Sequence, residues 1–177
     1  FLLACLVVAG LIRAAIPDYI PEYYDVRPDD DGVAATKEIT VQLLDFEISD
    51  TVLATSEFDT ETEFTTEHVF VVAHVVLTPH EKTFFPTVEV RTRDGYSYEH
   101  IEISGIPVTR QAYVGATYTG AFVVEIPADK FDGASLTFRG LRPTGLLPVN
   151  PLVRFDIPEM EQADRAFVSP VVVGPAR

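Results

Sequence analysis

Apolar and polar positions alternate with period two along most of the chain. From Lys37, Ile39, Val41 and Leu43 alternate with Thr40 and Gln42, and the run continues through Phe46 and Ile48. Such alternation marks strands with one buried face. A second short strand is expected at Thr51 to Thr55, followed by a polar, acidic stretch, Ser56 to His68, that carries Phe58 and Phe64. His68 to Leu77 is continuously apolar and rich in β-branched residues, which predicts a central strand covered on both faces and ended by Pro79. Thr87 to Thr92 predicts a strand with Val88 and Val90 on one face. Asp94-Gly95 then signals a hairpin, and Tyr96 to Ile103 returns. Ala112 to Thr117, Tyr118 to Ile126, Ser135 to Arg139 and Leu152 to Ile157 complete about eight short strands separated by Gly and Pro turn signals. Beyond residue 16 a single helical turn at Ala128 to Phe131 is the one helical feature expected. The pattern predicts an all-β fold, an antiparallel β-sandwich over residues 37–158.

Both flanks depart from this pattern. Phe1 to Ile16 reads FLLACLVVAGLIRAAI, with Arg13 as its first charge. Sixteen helical residues cover ~24 Å, and a hydrocarbon core of ~30 Å needs ~20 residues. The segment is therefore expected to be the outer part of one transmembrane helix, incomplete at its N-terminal side. A cleaved secretory signal is a second reading. A lipoprotein signal is a third, because Leu2-Leu3-Ala4-Cys5 looks like a lipobox. The residues after Cys5 stay apolar, which favours the retained anchor. Gly10, with Ala9 and Ala14, offers a small-residue face for close helix contact.

Residues 17–36 are expected to form a stalk. Pro17, Pro21 and Pro28 interrupt any helix, and Tyr19, Tyr23 and Tyr24 suit a membrane–water interface or a protein neighbour. Residues 159–177 begin polar and end in Val171-Val172-Val173, as a last edge strand or a segment that docks on a partner.

Charge adds direction. The net charge of −14 opposes nucleic-acid binding and flat adsorption on anionic lipid. Asp18, Glu22, Asp25 and Asp29-Asp30-Asp31 follow the apolar segment, and an acidic flank is the non-cytoplasmic one. The expected arrangement is a single-pass plasma-membrane protein, its N-terminus cytoplasmic and its domain extracytoplasmic. Cys5 is the one cysteine, so no disulfide forms within the chain.

Candidate chemistry is sparse. His68 and His74 share strand parity but six residues separate them by about 20 Å, too far for one metal ion. His74 is expected as a satisfied core or subunit-contact residue and His80 as a loop residue; His100 completes the set. Alternate carboxylates at Glu57, Asp59, Glu61, Glu63 and Glu67, and the run Asp29-Asp30-Asp31-Gly32, are acidic enough for Ca²⁺ but lack the spacing of a calcium loop. Charges on an edge strand also discourage edge pairing. There is no G-x-S-x-G and no Gly-rich phosphate loop, and Ser104 and Ser135 have no base beside them in sequence. No catalytic, metal or cofactor residue is assigned, and the chain is not expected to be an enzyme.

Arg91 to Tyr98 (RTRDGYSY) and Val114 to Asp129 (VGATYTGAFVVEIPAD) resemble a family of actinobacterial surface proteins. The likeness covers residues 37–140. It implies an immunoglobulin-like sandwich and transfers no catalytic residues. Single-helix proteins of this size also occur as accessory subunits of the actinobacterial respiratory supercomplex of cytochrome bc complex and oxidase, and this chain resembles them in size and topology. The function expected is a non-catalytic accessory subunit of a membrane protein complex, its sandwich capping or bridging partner subunits. The alternative is an envelope ligand-binding or transport-adaptor module, with an apolar groove lined by Phe84, Phe85, Tyr113 and Tyr118. A hydrolase of envelope material is a third reading.

Overall fold

The computed structural model describes residues 22–80, 83–84, 86–103, 111–139 and 149–175. Its strands are β1 (Glu22–Val26), β2 (Val33–Ala35), β3 (Ile39–Thr55), β4 (Glu61–Pro79), β5 (Thr83–Phe84), β6 (Thr87–Arg91), β7 (Ser97–Ile101), β8 (Gln111–Ala112), β9 (Ala116–Ile126), β10 (Ser135–Arg139), β11 (Val149–Asp156), β12 (Ala166–Val168) and β13 (Val172–Pro175). One 3-10 turn, Ala128–Lys130, is the helical element among the described residues. None of their helices is long and apolar enough to cross a membrane. The anchor assigned to residues 1–16, Cys5 with it, lies outside the described residues.

Two sheets pack face to face. One runs β1-β11-β10-β6-β7, the other β7-β9-β4-β3. β7 belongs to both: Ser97 to Glu99 pair with β6, whereas His100 and Ile101 pair with β9. The chain is therefore an all-β sandwich joined along one side. Between the sheets lies the main core. Val69, Val71, Ala73, Val75 and Leu77 of β4 and Phe122, Val124 and Ile126 of β9 meet Val88 and Val90 of β6, Leu136 and Phe138 of β10, and Val153 and Phe155 of β11. Phe122, Phe138 and Phe155 stack edge to face at centroid distances of 5.7 and 5.8 Å, the geometry favoured by the ring quadrupole.

The alternate residues of β4 and β9 serve a second cluster. Phe70, Val72, Ala121 and Val123 point away from the main core and meet Val52, Ala54, Ala166 and Val168. Both faces of β4 are thus buried, as its unbroken apolar run requires. The cover for the outer face is the distal half of the β3–β4 hairpin with β12. β12 lies beside β3 and β13 beside β9, which in a flat sheet would be four spacings of ~4.8 Å, or ~19 Å, apart. Val168 and Val172 are four residues apart and can span at most ~15 Å. The distal hairpin therefore bends out of the sheet plane over its outer face. The bend falls where the β3–β4 register breaks between Ser49 and Thr51. There the Thr66 hydroxyl bonds the Glu125 carboxylate of β9.

Several expectations are corrected. The stalk assigned to residues 17–36 contains two strands within its described part: β1 pairs in parallel with β11, and β2 pairs with β3. The sandwich therefore begins before residue 37, and it continues past 158 through β12 and β13. The pairings of β1 with β11 and β12 with β3 are parallel, so the sheets are not wholly antiparallel. The two strands expected at 39–48 and 51–55 are one. Leu44 is the extra residue of a bulge between Leu43 and Asp45, and it is exposed. That bulge moves the inward parity from Ile39, Val41 and Leu43 to Phe46 and Ile48, because a single inserted residue swaps the faces of a strand. The acidic stretch 56–68 is the hairpin tip and the first part of β4.

Candidate functional site

The outer face of the β1–β7 sheet is polar where the inner face is apolar. On β6, β10 and β11 the core takes every second residue, which leaves Glu89, Arg91, Ser135, Thr137, Arg154 and Asp156 on the far side. Cross-strand register sets them in two rows. Ser97, Arg91, Ser135 and Asp156 are successive partners across β7, β6, β10 and β11; Glu99, Glu89, Thr137 and Arg154 form the next. The face is also partly dry. Glu89 is 3 % exposed, Ser135 8 % and Thr137 fully buried.

A buried carboxylate needs partners, since desolvation opposes its charge. Arg91 supplies them: its Nε donates to Glu89 Oε1 at 2.7 Å, and its Nη2 lies 2.6 Å from the same oxygen. The Thr137 hydroxyl donates to the Glu89 carbonyl at 3.2 Å. Arg154 lies 3.3 Å from Asp25 through Nη1, and Arg27 closes on both oxygens of Asp156. Within this network one group is unmatched: the Arg154 Nε is buried and has no hydrogen-bond partner. A buried donor left unpaired costs about 1–3 kcal/mol.

Above this face opens a cleft of about 550 Å³, lined by Arg91, Thr92, Arg93, Gly95, Ser97, Gly133, Ser135, Arg154 and Asp156. The β6–β7 turn forms its rim. Gly95 donates to the Thr92 carbonyl at 3.0 Å and holds φ +90°, which a glycine adopts without steric cost. The Thr92 hydroxyl donates to Asp94 at 2.6 Å, and the Tyr96 amide donates back to that hydroxyl at 3.1 Å. Asp94 then binds Lys130, whose ammonium sits 5.6 Å from the centre of the Tyr96 ring. The Lys130 hydrogen bond, then that of Thr92, holds the Asp94 carboxyl below its usual range; the same bond to Asp94 raises Lys130. The β6–β7 turn and the 3-10 turn after Pro127 are thereby tied together. Arg93 points the other way. Its aliphatic stem lies over Gly133, where an added Cβ would meet Cδ at 3.5 Å, and among the described residues its guanidinium has no ion-pair or hydrogen-bond partner.

The residues singled out from sequence fall elsewhere. His74 pairs with Glu47 at 2.9 Å across β3 and β4, His80 Nε2 lies 2.7 Å from the Thr40 hydroxyl, and His68 is exposed. The ring of His100 meets Phe122 edge-on at 5.4 Å. Asp29 accepts from the amides of Asp31 and Val33 at 3.1 and 2.8 Å, which closes its own turn. Glu57 and Asp59 sit in the hairpin tip and Glu63 lies 3.8 Å from Arg165. Among the described residues no three His, Cys, Asp or Glu side chains gather as metal ligands. The apolar groove expected from Phe84, Phe85, Tyr113 and Tyr118 is corrected at Tyr118, which is a core residue whose hydroxyl accepts from the Tyr113 amide at 3.0 Å. Phe85 and Ser104 lie outside the described residues. Ser135 joins the cleft, beside Arg91 and Asp156 and without a histidine in the lining.

The cleft itself was missed from sequence. Its available signal was RTRDG, where two arginines two residues apart flank a hairpin in a chain with few cations. Arg154 gave none, since its register against Thr137 comes only from folding.

No protein-family model matches the chain. No curated protein matches it. A solved structure of an uncharacterized β-sandwich protein from Clostridium difficile 630 is similar at 16% identity, covering 77% of this chain and 98% of that one, with a TM-score of 0.49.

Proposed function

We propose that the chain is a non-catalytic accessory subunit of a membrane protein complex, anchored by residues 1–16, with its sandwich meeting partner subunits on the extracytoplasmic side. The observation that carries this reading is an apolar end at the start of β9. Tyr113 and Val114 precede that strand and are exposed by more than half. β13 pairs alongside it, Pro175 opposite Ala116 and Val173 opposite Tyr118. Val172 and Val173 point to opposite sides of β13 and are 66 % and 61 % exposed. Edge strands in soluble proteins are commonly guarded by charge or cover. A short edge strand with bare valines on both faces suits addition of a partner strand or surface instead. The immunoglobulin-like description rests on the residues of the DGY turn and the β9 strand, the link to a respiratory supercomplex on size and topology, and the proposal needs neither.

The test is co-purification of the full chain in mild detergent. The parent protein is expected to elute with partner subunits, and the double variant Val172→Asp/Val173→Asp to elute alone with an unchanged thermal transition. A parent that elutes alone, or a folded variant that keeps its partners, overturns the proposal. Deleting residues 1–16 is expected to move the domain to the soluble fraction.

A further inference from the structure

The cleft on the outer face lies at the opposite end of β9 from the apolar edge, and what it binds is a separate question from partner docking. We propose that it is a binding site for a tetrahedral oxyanion, a phosphate or sulfate group carried by a small polar molecule.

Three features lead there. The first is charge placement. The chain has 13 Lys and Arg against 27 Asp and Glu, yet three arginines, Arg91, Arg93 and Arg154, line one cleft. The carboxylate in that lining is Asp156, and both of its oxygens accept from Arg27. Glu89 beneath the cleft is held by Arg91, and Asp25 at its side by Arg154. On the far side of Arg93, Asp94 is taken by Lys130, while Asp129 and Asp132 line a neighbouring depression that Arg93 also borders, neither of them ion-paired with it. Glu99 flanks Glu89 on the same face and is exposed. The internal ion pairs thus consume the carboxylates that line the cleft or lie beneath it, and among the described residues the Arg93 guanidinium remains unpaired.

The second is unused hydrogen-bonding capacity. Arg154 Nε is buried without an acceptor. Ser97 and Ser135, on either side of Arg91 in the cross-strand row, line the cleft, and among the described residues their hydroxyls make no hydrogen bond. The unused donors are a guanidinium, one further N–H and two hydroxyls.

The third is their distribution. Arg93 comes from the β6–β7 turn, Ser97 from β7, Ser135 from β10 and Arg154 from β11. Donors that converge from separate strands match a group with three oxygens set in three directions; a carboxylate offers two in one plane. Guanidinium recognises phosphate by paired N–H bonds. A cleft of about 550 Å³ is larger than the bare anion and leaves room for the molecule that carries it. The carboxylate beside Ser135 is Asp156, and Arg27 takes both of its oxygens, so the role proposed is binding.

The chemistry is shared by a free phosphomonoester and by a phospholipid headgroup, and the experiment separates them. Calorimetric titration of the full chain in mild detergent at fixed ionic strength uses inorganic phosphate, glycerol 3-phosphate and dihexanoyl phosphatidic acid, with chloride and glycerol as controls. Glycerol 3-phosphate is expected to bind and the controls not. Tighter binding of glycerol 3-phosphate identifies a free metabolite, tighter binding of the lipid a headgroup, and either supports the site. Arg93→Gln, which removes a guanidinium unpaired among the described residues and keeps most of the stem over Gly133, is expected to weaken binding at least ~10-fold with an unchanged melting transition. Three results overturn the proposal: no binding of any phosphate probe, equal heats with chloride, or an Arg93→Gln protein that binds as tightly as the parent. Loss of partner subunits in the β13 variant leaves these titrations unaffected.

Discussion

Arg27 donates through Nη1 to both carboxylate oxygens of Asp156 at 2.7 Å, joining residues 129 positions apart. The contact closes the end of the parallel ladder between β1 and β11, in which Val26 faces Val153. It adds a side-chain tie to the ladder that makes the acid- and proline-rich stretch after the apolar segment part of the sheet.

Both partners of that pair are half-exposed or more, at 48 % and 75 %, so the bond is screened. Arg27→Ala is expected to lower global stability by under ~1 kcal/mol. The local effect is larger in kind: hydrogen exchange of the β1 amides, Tyr23 to Val26, should quicken while β4 and β9 amides keep their rates. A loss of several kcal/mol in denaturant unfolding would show that β1 is part of the cooperative core instead.

Phe138 is the middle ring of the edge-to-face series and is 2 % exposed. Its truncation to alanine removes buried surface, leaves a cavity between the sheets and ends both ring contacts. Phe138→Ala is expected to cost about 3–5 kcal/mol, read as a lower denaturant midpoint at unchanged slope. A cost below ~1 kcal/mol would mean that the core collapses around the vacancy.

His100 gives a pH dependence. Burial against Phe122 disfavours its charged form and holds its pKa below the ordinary 6.5, although Glu102 and Glu99 pull the other way. The unfolded chain therefore takes up this proton before the folded one does. Stability from this group is complete above pH 6.5 and declines as pH falls from there through the lower folded pKa. Thermal melts of His100→Gln should fall less steeply than those of the parent over that window. Parallel profiles would remove His100 as the cause.

Much of the sandwich was legible in the residues. The apolar run at 69–77 called for a strand buried on both faces, and β4 is that strand, with odd residues in the main core and Phe70 and Val72 in the second cluster. Asp94-Gly95 called for a hairpin, because a positive φ there suits glycine, and the β6–β7 turn has one. The change of parity between Leu43 and Phe46 is present in the residues, but the run from Ile39 through Ile48 reads as continuous without its partner. One residue bulged against β4 keeps both halves of β3 inward, and only the pairing shows it.

The cleft was much less legible. Glu89 and Arg91 share β6, but Ser135 and Arg154 are ordinary polar positions in β10 and β11, and nothing local relates the three strands. Their rows exist because β10 lies between β6 and β11 in one register. The groove expected from aromatic content failed at Tyr118 for the converse reason: its strand parity turns the ring toward the core, where burial of apolar area outweighs any surface role.

Period two, turn glycines and acid excess are local properties, and they alone determined an all-β acidic chain with strands near their observed places. Which strands neighbour one another, that β1 and β12 pair in parallel, and that the distal hairpin bends over the sheet depend on contacts between distant residues. So does the meeting of Arg93, Ser97, Ser135 and Arg154 in one cleft. Local sequence carries the preference of each residue for a face, whereas register between strands is set by the whole core closing at once, and only the tertiary structure decided it.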